Sequence, residues 1–393
     1  MHISDIRGTV QLATQATAGV TRIVEGVHQS VWSTLGFPGG EIEGTTRGLT
    51  GAIYQMIHGA TWLGGKSVDS LIGRLQILQG PDVSAIPDTP RRETLLSALN
   101  GVMGDRLAED RNPFAIPMSL QQSIPATTEA TGKVVLLIHG LCMTDLQNHA
   151  RYKDLPGEHG AALASGLNYS PVYLRYNSGL HISINGRELS GPLEQLLERW
   201  PVAIEDLSVV AHSMGGLLIR SALHHGRQNG LRWPERIKNV VFLGTPHHGA
   251  PLERMGNWLD LILNAVPHAK PFAALGQVRS AGITDLRFGN VQHEDWNGHG
   301  RFQLKPDCRQ PTLLPAHVNC YTIAAALAGK RSALADRLIG DGMVPLNSAL
   351  GKHGEAERTL AFLPSFQSVF YGTNHMELLH KPEVINQVVE WLK

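Results

Sequence analysis

A serine set at a strand–turn–helix junction constrains this chain more than any other feature. Ala211-His212-Ser213-Met214-Gly215-Gly216 follows the apolar run Leu207-Ser208-Val209-Val210 and precedes the helical pattern Leu217-Leu218-Ile219-Arg220-Ser221-Ala222-Leu223. A buried strand, a tight turn and a helix form the layout of a nucleophile elbow. A serine hydroxyl is a weak nucleophile and needs a fixed position beside a general base, which such a turn supplies. The turn tolerates only small neighbours, hence Gly215 two residues after the serine and Ala211, the next smallest choice, two residues before it.

Three further segments carry the complementary parts. Val134-Val135-Leu136-Leu137-Ile138-His139-Gly140-Leu141 reads as a buried strand ending in His-Gly, a loop that supplies one oxyanion N–H in hydrolases built this way. That donor is assigned to Leu141 and the second to Met214, the residue after the nucleophile. Gly340-Asp341-Gly342 places an acid in a turn, and Gly372-Thr373-Asn374-His375 follows the apolar Val369-Phe370-Tyr371. The order Ser213, Asp341, His375 is that of the α/β-hydrolase fold. The alternatives are Asp336 or Asp307 as the acid and His380 as the base, in a chain with 19 histidines.

On these residues, and on Leu243-Gly244-Thr245-Pro246-His247-His248-Gly249, the half of the chain from about Lys133 onward resembles a bacterial α/β-hydrolase lipase or esterase. It is most similar to the group that includes the GPI inositol-deacylase-like hydrolases. The resemblance implies carboxylic-ester hydrolysis, often of acyl lipids, and no cofactor. It does not extend over the first 125 or so residues, and Ala211 is a departure from its usual glycine. An acyltransferase on the same fold, or a non-catalytic lipid-binding relative, are the alternatives.

The fold class expected is α/β, with a mostly parallel central sheet flanked by helices. Strands are expected at Val172–Tyr176, Val240–Leu243 and Asn319–Ala324, and helices at Gly191–Trp200 and Glu383–Leu392. The domain division expected is a helical N-terminal region with linker over 1–125 and a catalytic domain over 126–393. In the first, Val20, Ile23, Val24, Val27 and Val31 recur at helical spacing, as do Ile53, Ile57, Ala60 and Gly64, an echo at an offset of 30 residues. A third helix runs from Arg91 to about Glu109 after the Thr89-Pro90 start signal. Asn112 to Thr131, with prolines at 113, 117 and 125, reads as a linker. Between about 250 and 317 the strand–helix alternation lapses, as expected of a cap insertion. There Trp258, Leu259, Ile262 and Leu263 are expected to line an acyl pocket or its lid, or else to be the core of a small subdomain.

Charge is balanced at 34 basic and 34 acidic residues, which gives no reason to propose nucleic acid as a partner. The partner expected is a hydrophobic ester or acyl-lipid substrate. The start of the chain lacks a charged segment followed by an apolar core, and no stretch approaches 18 uncharged apolar residues. A cytoplasmic protein is therefore expected, with peripheral membrane contact through Trp32 and Trp62 of the N-terminal helices as the sharper alternative to a plain helical hairpin. Cys142, Cys308 and Cys320 make no disulfide framework, although Cys308 and Cys320 are close enough in sequence to pair. No metal is expected: His247-His248 on a strand end should diverge, and His293, Glu294, Asp295 and His299 show no ligand spacing.

Overall fold

The structure is a computed structural model of the 393-residue chain. It describes residues 90–122, 130–144, 158–250, 279–298, 306–329 and 340–393, together with Gln11 and Thr14. The chain divides into two compact units, Met1–Asp88 with Asp110–Phe114, and Thr89–Glu109 with Ala115–Lys393. Of the first, Gln11 and Thr14 are helical and 110–114 form turns. The N-terminal helical repeats, Trp32 and Trp62 lie outside the described residues. So do the cap residues Trp258, Leu259, Ile262 and Leu263, and the rival acid Asp336.

The second unit is built on strands β1 (Ser119–Gln122), β2 (Lys133–Ile138), β3 (Ser170–Arg175), β4 (Asp206–His212), β5 (Ile237–Leu243), β6 (Asn319–Ala326) and β7 (Gln367–Tyr371). They form a seven-stranded sheet in the order β1-β3-β2-β4-β5-β6-β7. All pairings are parallel except β1 with β3. The central strands are near-continuous apolar runs: Val134 to Ile138 and Leu207 to His212 are buried throughout. That is the signature of a parallel sheet covered on both faces. The long helices are α1 (Pro90–Glu109), α2 (His159–Leu167), α3 (Ile182–Arg199), α4 (Met214–Gln228) and α5 (Pro382–Trp391). Two apolar clusters fill the faces of the sheet. One gathers Leu136, Val209 and Phe242 with Leu189, Leu218 and Trp233; the other gathers Leu137, Val210 and Val241 with Leu163, Val384 and Val388. With the elbow after β4, an aspartate after β6 and a histidine after β7, this is the α/β-hydrolase fold. Among the described residues no helix is long and apolar enough to cross a membrane.

Three differences from the sequence reading have physical causes. The segment read as a linker holds β1, because a four-residue edge strand with two exposed glutamines has no apolar alternation to reveal it. Helix α3 starts at Ile182, a full nine residues before Gly191, and runs through Pro192. Its buried face, with Leu189, Leu193 and Leu196, outweighs the amide that proline removes. The compact unit takes in α1, well before residue 126, since Ala98 and Val102 join the core cluster of Leu141 and Cys142.

The loops at the carboxyl edge are pinned by buried polar contacts. Asp285, 1% exposed, accepts from the Ile182 N–H at 2.9 Å, His181 Nδ1 at 3.0 Å and Asn290 Nδ2 at 3.0 Å. It thus joins the start of α3 to the segment after the short helix Ala281–Asp285. Asp285→Ala strands three donors, so urea unfolding should show a loss of about 3 kcal/mol; an unchanged midpoint would mean the contacts contribute nothing.

Candidate active site

The elbow has the geometry its residue types predict. Ser213 sits at φ 53°, ψ −123°, a left-handed conformation rare for a residue with a side chain. Its N–H donates to the Leu243 carbonyl at 2.8 Å, and its own carbonyl accepts from Gly216 at 3.0 Å. Gly215 has no freedom to be anything else: a Cβ there would lie 2.7 Å from the Ile138 and His139 carbonyl oxygens. The start of α4 therefore rests directly on the end of β2. Ala211 lies within β4 and is fully buried, with no positive φ that would call for glycine.

The loop after β2 lies over the serine, since a Cβ on Gly140 would stand 3.1 Å from Ser213 Cβ. Leu141 is buried, and its N–H has no partner among the described residues. Met214 opens α4, so its N–H has no carbonyl a turn earlier to reach. Neither of the two expected oxyanion donors has a hydrogen-bond acceptor among the described residues. The loop is tied on its far side by residues the sequence reading missed. The Cys142 N–H donates to Ser178 Oγ at 3.1 Å, and Tyr176 Oη donates to the His139 carbonyl at 2.8 Å. Helix α1 backs the same turn, with Gly101 lying against Cys142 Sγ. Cys142 itself adopts φ 59°, and burial pushes its thiol up to about 12, so it is an inert packing group. Cys308 and Cys320 are also free thiols.

Asp341 is 2% exposed in a turn whose flanking glycines take φ 54° and 93°. Its Oδ1 accepts from the Met343 and Val344 N–H groups at 2.9 and 2.8 Å, and its Oδ2 meets His375 Nδ1 at 2.6 Å. The His375 N–H also donates to the Asp341 carbonyl, at 3.2 Å. A carboxylate only accepts, so Nδ1 carries the proton and Nε2 presents a lone pair. That Nε2 is buried and has no hydrogen-bond partner. His375 adjoins Gly244, where a Cβ would come within 3.0 Å of its Cε1, and Gly244 follows the residue that accepts from Ser213. The rival acid Asp307 is engaged elsewhere, by Arg309 at 2.8 Å and Arg358 at 3.0 Å. Burial would raise its carboxyl, but the Arg309 hydrogen bonds outweigh that and hold it at about 2.

Two further histidines brace His375. The His212 ring lies 4.7 Å from it, centroid to centroid, and His212 Nε2 donates to the His375 carbonyl at 3.2 Å. His159 Nε2 donates to the Leu378 carbonyl at 2.9 Å, one turn beyond His375. Burial holds His159 near 4, and burial with the neighbouring His375 holds His212 well below the usual histidine range, so both are neutral donors at pH 7. The sequence offered no signal for His159: nothing in its neighbourhood indicates that α2 packs under the C-terminal loop. His247 and His248 diverge, the first facing Arg220 Nη1 at 3.3 Å and the second the Gly351 carbonyl at 3.0 Å.

A family profile described as a domain of unknown function, DUF7379, matches residues 106–286. No curated protein matches the chain. Among solved structures it is similar to the mature lipase BlEst2 of Bacillus licheniformis, with 18% identity, 70% of this chain and 97% of that one covered, and a TM-score of 0.42. It is also similar to the esterase Pf2001 of Pyrococcus furiosus, with 14% identity, coverage of 70% and 85%, and a TM-score of 0.39. A hyperthermophilic esterase from the archaeon Pyrobaculum calidifontis gives 14% identity, coverage of 81% and 94%, and a TM-score of 0.41.

The buried histidines set an acid limit on stability. His159 and His248 are held near 4 by burial, and His212 and His247 are held well below 6.5 for the same reason. Each is neutral when folded but takes up a proton on unfolding below 6.5, so the stability is present above that value and is lost as pH falls towards 4. Glu158 works in the opposite sense, because burial pushes its carboxyl up to about 7 and unfolding releases its proton above 4.5. His224 and His225 are lowered as well, and Glu188 and Asp295 are raised like Glu158, all by burial first, so six histidines outweigh three carboxyls and the urea midpoint should fall steadily from pH 6.5 to 4.5. His159→Gln should flatten that slope by about one proton. A midpoint independent of pH over this range would show that these rings are not buried neutral.

Proposed function

We propose that this protein is a serine carboxylic-ester hydrolase that cleaves hydrophobic acyl esters through an acyl-enzyme. The observation that supports the reading is the 2.6 Å bond from His375 Nδ1 to the buried Asp341, which leaves a buried, partnerless Nε2 on a ring 4.7 Å from that of His212, the residue before the elbow serine. In this reading Ser213 Oγ attacks the ester carbonyl carbon while His375 Nε2 takes its proton. Asp341 stays ionised, fixes the ring's tautomer and stabilises the imidazolium. The carbonyl oxygen, now an oxyanion, accepts from the Leu141 and Met214 N–H groups, each contributing about 3 kcal/mol to barrier lowering. Collapse expels the alcohol, which receives the proton from His375. Water, deprotonated by the same ring, then attacks the acyl-serine, releasing the carboxylic acid and restoring Ser213.

The fold supports acyl chemistry of this class without selecting the acyl group. The motif resemblance to GPI inositol-deacylase-like lipases favours an acyl lipid, with Trp258, Leu259, Ile262 and Leu263 as the pocket or lid. We place the activity in the cytoplasm, with peripheral membrane contact through the N-terminal helices and no nucleic-acid partner. No cofactor enters any step.

The test is hydrolysis of p-nitrophenyl esters from acetate to palmitate, paired with labelling by a fluorophosphonate. Ser213→Ala should abolish both turnover and labelling while leaving the fold intact. Asp341→Asn should lower kcat by roughly 10⁴-fold. Labelling of Ser213 without turnover on any ester would point to an alcohol acceptor or a narrow substrate, and product analysis with added alcohols separates those. A folded wild type that is neither labelled nor active sinks the proposal.

A further inference from the structure

Helix α1 carries two glycines in its interior, Gly101 and Gly104, although glycine is the poorest helix former short of proline. Each stands where another segment comes too close for a side chain. A Cβ on Gly101 would lie 2.9 Å from both Cα and N of Cys142, and closer still to its Sγ; ordinary contact needs about 3.5 Å. A Cβ on Gly104 would lie 2.7 Å from Asn177 Cγ, and one on Gly179 would lie 2.9 Å from Gly104 Cα. Side chains hold the helix against these segments. Ser280 Oγ donates to the Gly101 carbonyl at 2.6 Å, and Asn177 Nδ2 donates to the Gly104 carbonyl at 2.8 Å.

The turn after β2 is fixed by this packing. Gly101 bears on Cys142, whose N–H donates to Ser178 Oγ at 3.1 Å and whose thiol is directed at the Ala98 carbonyl at 3.8 Å. Cys142 holds φ 59°, a conformation that persists only where the surroundings impose it. Leu141, expected to offer its N–H to the oxyanion, is the residue before it. A shift of the Cys142 nitrogen therefore moves Leu141 and re-aims that N–H. All but the last turn of α1 precedes residue 106, where the matching family profile begins, and the lipase-like motifs begin only at Ile138.

We propose that Gly101 is a positioning residue for the oxyanion turn, which makes α1 part of the machinery of ester cleavage as well as of the core. This rests on the reading of Leu141 as an oxyanion donor. Gly101 touches no reacting atom. Its missing side chain lets the helix fix Cys142 and, through it, Leu141.

Gly101→Ala in the full-length protein adds one methyl group at the contact. With a p-nitrophenyl ester, kcat should fall about 10- to 100-fold at unchanged KM, short of the 10²–10³-fold that removing a whole donor costs. Inhibition by butylboronic acid, whose serine adduct puts an oxygen in the oxyanion position, should weaken by the same factor. Leu99→Ala is the control for plain destabilisation. Leu99 is buried on α1 but outside the apolar cluster of Leu141 and Cys142, so Tm should fall with kcat unchanged. If Gly101→Ala does not fold, Cys142→Ala probes the same contact by removing the Sγ that lies against α1, and kcat should fall about tenfold. Wild-type kcat and boronate affinity in the variant that folds overturn the proposal, as does an equal loss of kcat in Leu99→Ala. A wild type with neither turnover nor fluorophosphonate labelling removes the reading of Leu141 itself, and this inference falls with it.

Discussion

The left-handed backbone at Ser213 is the constraint on which the site depends. A residue with a side chain at φ 53° costs about 1–3 kcal/mol and persists only where its surroundings leave no other choice. Here the surroundings are the parallel sheet itself. β5 receives the serine N–H through Leu243, while the end of β2 presses on Gly215 so closely that a methyl group at that position would meet two carbonyl oxygens at 2.7 Å. The strain lifts the serine off the strand axis and leaves the first amides of α4 unsatisfied beside it. The strand pairing that stabilises the sheet thus also sets the position of Ser213 and of the first amides of α4.

His375 differs from its histidine neighbours in one contact. His159, His212 and His375 lie close together, and the first two are kept neutral by burial and act as hydrogen-bond donors to backbone carbonyls around the third. His375 alone has a buried carboxylate on its Nδ1. The two neutral rings hold the loop of His375 in place through its backbone carbonyls. The limit this sets is at low pH, where the neutral rings gain charge only by leaving the interior.

The segments around Ser213 and Asp341 and the strand before His139 were readable because each carries a local backbone demand that only certain residues meet. Gly215 answers a close approach, Gly340 and Gly342 answer positive φ around Asp341, and the apolar run from Val134 to Ile138 answers burial on both faces. The bracing residues carry no such local mark. Tyr176, Ser178 and His159 act on backbone groups 37, 36 and 219 residues away, and their own neighbourhoods look like ordinary strand ends and helix starts. Helix α1 is the same case: its pattern reveals a helix, but that Gly101 would back the turn at Cys142 follows only from packing.

The α/β alternation, the turn at Ser213 and the order in which Asp341 and His375 follow it are legible in the sequence alone, because periodicity and steric demand act over a few residues. The tertiary structure decided which acid meets which base, since Asp307 and Asp341 are both chemically eligible and only one shares a buried edge of the sheet with His375. It also decided the ionisation of the surrounding histidines and the burial of the Arg220 guanidinium. Those properties depend on what a side chain is buried against, and burial is set by contacts between segments far apart in the chain.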